Sequence, residues 1–92
     1  MPELARFFGI VVSVFYGDHN PPHIHVSHGD RRRTEWAAQV TLDGRVLEGY
    51  VPPRELKLVR KWLRLRRDEL RKACDLARQD VEPGKISPLK VR

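Results

Sequence analysis

One cysteine in 92 residues, Cys74, leaves no partner for a disulfide within the chain, and stability must come from packing alone. Its position in an amphipathic segment reads as a small buried helix residue rather than a nucleophile. No apolar run approaches the roughly 18 residues that a membrane span needs. The longest one, residues 7–16, is interrupted by Gly9 and Ser13 and reads as a strand. The opening Met1-Pro2-Glu3-Leu4-Ala5-Arg6 lacks the charged-then-apolar layout of a signal peptide. Together these absences lead us to expect a cytoplasmic protein with no membrane contact. Glycine-rich phosphate loops, Ser-His-Asp and Cys-His spacings, internal repeats and low-complexity tracts are missing too. No cofactor is therefore expected. At 40% apolar and 33% charged residues, the composition fits one small, polar domain over residues 1–92.

What is present is concentrated in two places. All four histidines fall within ten positions, in Asp18-His19-Asn20-Pro21-Pro22-His23-Ile24-His25-Val26-Ser27-His28-Gly29-Asp30. Histidine is the side chain that can act as acid, base or metal ligand near neutral pH. The net charge of +6 is equally localised. Residues 54–78 hold ten basic and four acidic residues, whereas the remainder holds eight of each. The whole excess sits on one element.

Pattern and punctuation predict an α+β fold: about four antiparallel strands packed against one long carboxy-terminal amphipathic helix. Residues 6–16 form the first strand, ended by the turn chemistry of Gly17 to Pro22. Residues 23–28 form the second. Residues 34–42 form the third, with Thr34, Trp36, Ala38 and Val40 on one face and Glu35, Ala37, Gln39 and Thr41 on the other. Asp43-Gly44 signals a type I′ hairpin into a fourth strand over residues 45–51. Pro53 suits the first turn of a helix over about 53–79, whose apolar stripe is Leu56, Val59, Leu63, Leu70, Ala73 and Ala77. Arg66 falls on that stripe, so either its stem snorkels or the helix breaks near Leu65 to Arg67; one continuous helix is the expectation. The tail over residues 80–92 is irregular and is pinned by Ile86 and Leu89.

On a strand, His23 and His25 share a face roughly 7 Å apart, and His28 faces away. With His19 folding back across the diproline turn, His23 and His25 could serve as acid and base in a metal-independent ribonuclease, with Arg6, Arg31, Arg32, Arg33 or helix arginines holding the phosphate. A metal site would need a third ligand such as Asp18 or Glu48, and His-x-His alone is weak support for one. The bland alternative is a set of half-buried histidines bonded to backbone. Lys57, Arg60, Lys61, Arg64, Arg67 and Arg71 recur at three and four positions and form a cationic stripe, to which Arg31-Arg32-Arg33 adds a second cluster. RNA or DNA backbone is one natural target, an acidic protein another, and a solvated surface the third option. Few aromatics are available for base stacking, which disfavours single strands.

Arg6-Phe7-Phe8-Gly9-Ile10, the Asp18-His19-Asn20-Pro21-Pro22-His23-Ile24-His25-Val26 run and Gly29 together resemble the bacterial family named domain of unknown function 4160. Val46-Leu47-Glu48-Gly49, Arg60-Lys61-Trp62 and Ile86-Ser87-Pro88-Leu89 match its later landmarks. The resemblance implies one half of a compact two-gene unit similar to a toxin–antitoxin operon. Its cognate partner would be a small protein of the family called domain of unknown function 2442.

Overall fold

A computed structural model of the chain describes residues 2–17, 21–29 and 34–92. Five strands, β1 (Glu3–Phe7), β2 (Ile10–Ser13), β3 (His23–Gly29), β4 (Thr34–Thr41) and β5 (Val46–Gly49), form an antiparallel meander in sequence order. Two helices, α1 (Pro53–Leu65) and α2 (Arg67–Arg78), follow them. The α+β class and the antiparallel sheet agree with the sequence reading; the strand and helix counts do not.

The fifth strand comes from the apolar run expected to be one strand. Phe8 and Gly9 both take positive φ, 49° and 78°. This is the backbone of a two-residue type I′ turn, and it folds Phe7 onto Ile10. Phenylalanine is an unusual occupant of that turn, so only Gly9 announced it. The Asp43-Gly44 hairpin is present but its turn differs from the one expected. Only Gly44 has positive φ, at 93°. The Gly44 N–H donates to the Thr41 carbonyl, and Thr41 N–H to the Arg45 carbonyl, giving a three-residue loop.

The single long helix breaks at Arg66, where φ is −114° and ψ is 24°. The ladder continues on both sides, with Arg66 N–H donating to Trp62 O and Leu70 N–H to Arg66 O. The interruption is therefore one residue wide. It lets α2 keep Leu70, Ala73, Cys74 and Ala77 buried while leaving Leu65 59% exposed. Arg66 itself is half-buried, so the stem snorkels as well.

Both helices pack on one face of the sheet. The inward side chains are Phe7, Ile10, Val12, Ile24, Val26, Ala38 and Val40, at alternate positions of their strands. In β1 the register slips between Glu3 and Ala5, and this bulge lets Leu4 and Ala5 both be buried. Trp62 is fully buried from α1, its ring 5.4 Å from that of Phe7. The irregular tail is held as expected, with Ile86 and Leu89 buried, Ile86 N–H donating to Leu4 O, and Trp62 Nε1–H donating to Ser87 O. Cys74 is buried on α2, and its thiol donates to the His23 carbonyl at 3.8 Å.

Two substitutions should expose these constraints in urea denaturation. Trp62→Ala should cost about 3–5 kcal/mol, through cavity formation and loss of the tail's anchor. Gly49→Ala should cost about 2 kcal/mol or more, because φ is 81° and a Cβ would lie 2.2 Å from Ala37 O.

Candidate functional site

The sheet separates two surfaces. On the side away from the helices, register aligns Ser13, His25, Gln39 and Glu48 in one row across four strands. Directly opposed side chains in an antiparallel sheet share a face, so these four stand together. Phe15 stacks on His25 with ring centroids 3.9 Å apart and planes within 7°. With Ser27 and Ala37 they line a shallow depression of about 330 Å³.

His23 shares this face with His25, as the alternation predicts, and their ring centroids are 5.1 Å apart. His23 is buried, and its Nδ1–H donates to the Pro21 carbonyl at 2.9 Å. A carbonyl only accepts, so the bond places a proton on Nδ1. His28 has the opposite parity. Its ring packs beside Trp36, with Nδ1 3.1 Å from a Glu35 carboxylate oxygen and the imidazole filling the space above Gly9. His28 is thus separated from the other two by the sheet. Asp18, His19, Arg31, Arg32 and Arg33 lie outside the described residues.

Two imidazoles on one face can exchange protons with a substrate, yet the described groups among those expected to hold the phosphate stand elsewhere. The helix arginines are on the far side of the sheet. Arg6 is committed to Glu3, donating from Nη2 at 2.8 Å. That hydrogen bond, the Arg6 charge and Lys85 hold the Glu3 carboxyl below its ordinary range, although partial burial opposes them. Among the described residues no group of three histidine, cysteine or acidic side chains could hold a metal ion.

The outer surface of the helices is different in kind. Lys57, Arg60, Lys61, Arg64, Arg67 and Arg71 are all exposed. Among the described residues none of the six forms an ion pair. Arg64 stands between two grooves. One, of about 320 Å³, is lined by Leu42, Asp43, Arg60, Leu63, Arg64, Arg67 and Arg71. The other, of about 450 Å³, is lined by Arg54, Lys57, Leu58, Lys61, Arg64 and Arg92. Arg60 is fixed at the first, its Nε–H donating to Gly44 O at 2.9 Å.

Three contributors were missed from sequence. Arg92 reaches this surface because its guanidinium lies 4.8 Å above the Phe8 ring, a contact 84 residues away in the chain that no local pattern signals. Phe15 and Gln39 join the His25 face only through cross-strand register. Asp43 and Gly44 were legible as a turn, but not Asp43 as a lining residue of a cationic groove or Gly44 as the acceptor for Arg60.

Residues 9–73 match the family described as domain of unknown function, DUF4160. The match spans β2 to β5, α1 and the first half of α2, and so includes both surfaces. No curated protein and no solved structure matches the chain.

The groove's one carboxylate gives a pH test. Thr41 Oγ1–H donates to Asp43 Oδ1, and this bond chiefly holds the Asp43 carboxyl below its ordinary 3.8. Since the folded value is depressed, the contact contributes stability above the ordinary value and loses it as pH falls through the folded one. Thr41→Val should move the Asp43 titration up toward 3.8, read by carbon-detected NMR, and narrow that acid window.

Proposed function

The chain belongs to the DUF4160 family, and from its charge geometry we propose that it is a nucleic-acid-binding component of a small two-gene module. In that module it would pair with a small cognate protein of the domain of unknown function 2442 kind and act in the manner of a toxin–antitoxin pair, in the cytoplasm. One observation carries the nucleic-acid reading: six exposed cations, Lys57, Arg60, Lys61, Arg64, Arg67 and Arg71, without an ion pair among the described residues.

Cations left without an ion pair favour an external polyanion, because each phosphate neutralised releases a condensed counterion. Lys57 to Arg64 covers roughly 10 Å of rise along α1, and Arg67 and Arg71 carry the run onto α2. Exposed aromatic rings are absent among the side chains lining both grooves, so contact with the phosphate backbone of a duplex fits better than stacking on single-stranded bases. An acidic protein is the competing partner, and the salt dependence below separates the two by its slope.

A ribonuclease is the second reading, favoured by the 5.1 Å spacing of the His23 and His25 rings on an open face. It lacks an adjoining cation among the described residues other than Arg6, which is taken by Glu3. The opposite placement of imidazoles and helix arginines favours binding over cleavage. A metal site at His23 and His25 would require Asp18 or another ligand outside the described residues, whereas the bond from His23 to the Pro21 carbonyl suits a structural role.

Fluorescence anisotropy with a short duplex should show log Kd changing with log salt at a slope near 5 between about 50 and 200 mM, as expected for about six phosphate contacts. Lys61→Ala and Arg64→Ala should each reduce the slope by about one. A flat response would sink the reading. RNA incubated with the purified chain should stay intact; cleavage that survives chelator and disappears in His23→Ala and His25→Ala would favour the enzyme instead. Tagged protein co-expressed with its neighbouring gene should retain the cognate partner through purification.

A further inference from the structure

We propose that the groove between the β4–β5 turn and the helix junction is a phosphate clamp, with Arg60 as its pre-positioned ligand and Arg64, Arg67 and Arg71 completing it. The inference rests on the nucleic-acid reading but is narrower. It distinguishes one arginine from its neighbours by geometry, where charge alone treats them alike.

A guanidinium carries five N–H donors in a rigid plane. In Arg60 the Nε–H is spent on Gly44 O at 2.9 Å, which fixes the plane's orientation. The four N–H groups on its two Nη atoms form the remaining fork, the arrangement suited to two oxygens of one phosphate. Ordering this side chain in advance removes rotamer entropy that a free arginine loses on binding.

The anchor is itself over-determined. Gly44 sits at φ 93°, and a Cβ there would lie 3.0 Å from Arg60 Cγ, so the arginine stem occupies the space that glycine leaves. The turn is tied to β4 by Gly44 N–H to Thr41 O and by Arg45 N–H to Thr41 Oγ1 at 3.0 Å. Asp43, the one carboxylate among the lining residues, accepts the Thr41 hydroxyl and is thereby engaged within the turn. Four arginines against one engaged aspartate leave the groove strongly cationic. Its floor is Leu42 and Leu63, the latter 2% exposed, which lowers the local dielectric beneath the bound anion.

Arginine rather than lysine at all four positions is the chemical signature. A surface that needed only charge would accept either residue, as the second groove does with Lys57 and Lys61 beside Arg54, Arg64 and Arg92. The ligand class is a phosphate presenting two free oxygens, supplied either by a nucleic-acid backbone or by a free oligophosphate.

The test compares Arg60→Lys, which keeps the charge and loses the fork, with Lys57→Arg as a control in the other groove. Inorganic pyrophosphate and a short duplex DNA are the two probes. Arg60→Lys should weaken binding of the duplex about tenfold, the effect of losing one charge-assisted bidentate contact. Lys57→Arg should leave it within about twofold. In NMR spectra, pyrophosphate should shift the Nε–H signals of Arg60, Arg64, Arg67 and Arg71 ahead of that of Arg54. Gly44→Ala, where folded, should reproduce the loss by displacing the Arg60 stem. Duplex binding unaffected by Arg60→Lys would overturn the clamp while the nucleic-acid reading stands. Saturable pyrophosphate shifts confined to these four arginines, with no duplex binding at low salt, would support the clamp as a free oligophosphate site and overturn the nucleic-acid reading. Uniform shifts across all arginines would overturn the clamp.

Discussion

Burying an indole costs free energy unless its single N–H finds an acceptor. Trp62 meets that condition far from its own helix: it is fully buried from α1, lies against Phe7 of β1, and donates to the carbonyl of Ser87 in the tail at 2.8 Å. One side chain thus joins the helix layer, the sheet edge and the carboxy-terminal segment. The tail has no regular structure, yet its course is determined, because Ile86 and Leu89 are buried on either side of the acceptor. Arg92 can rest on Phe8 only because the segment before it is tied down in this way. The place of Arg92 in the second cationic groove is therefore linked, through the tail, to an indole hydrogen bond in the core.

Covering one sheet face with two helices sorts the polar groups into separate territories. His23 and His25 stay on the open face, where His25 stacks on Phe15 beside Gln39 and Glu48. The charge excess goes to the outer surface of the helix layer. With the sheet and core between them, the imidazoles and the helix cations cannot act on one phosphodiester of a single bound molecule. That separation is why binding and catalysis become distinct readings of this chain rather than two halves of one active site.

The sequence resolved what depends on local period and punctuation. Alternation in residues 34–42 put Thr34, Trp36, Ala38 and Val40 on one face, of which Ala38 and Val40 are buried, and the same argument put His23 and His25 on one face with His28 on the other. The tail's anchors, Ile86 and Leu89, were recognisable as isolated apolar residues in a polar stretch. Local pattern failed where two states are close in energy. Residues 6–16 are uniformly strand-forming, and the reversal at Phe8-Gly9 shows only as one glycine. Arg66 marked an irregularity in the helix, but a stripe with one exception fits a snorkelling side chain as well as a break, and both occur. The groove at Gly44 was beyond reach for another reason. Its geometry joins residues 16 positions apart through a backbone carbonyl, and side-chain identity carries no record of such an acceptor.

The sheet's two margins are unequal. Along β1, the tail donates a backbone hydrogen bond from Ile86 to Leu4, and the same strand carries a bulge. At the other margin lies β5, only four residues long. Polymerisation by strand addition requires every unit to offer two open edges, each carrying unpaired N–H and C=O groups. A margin partly covered by the tail is a poorer template than an open one, so β5 is the edge more exposed to strand addition. The tail that satisfies Trp62 thereby also shields part of one sheet edge.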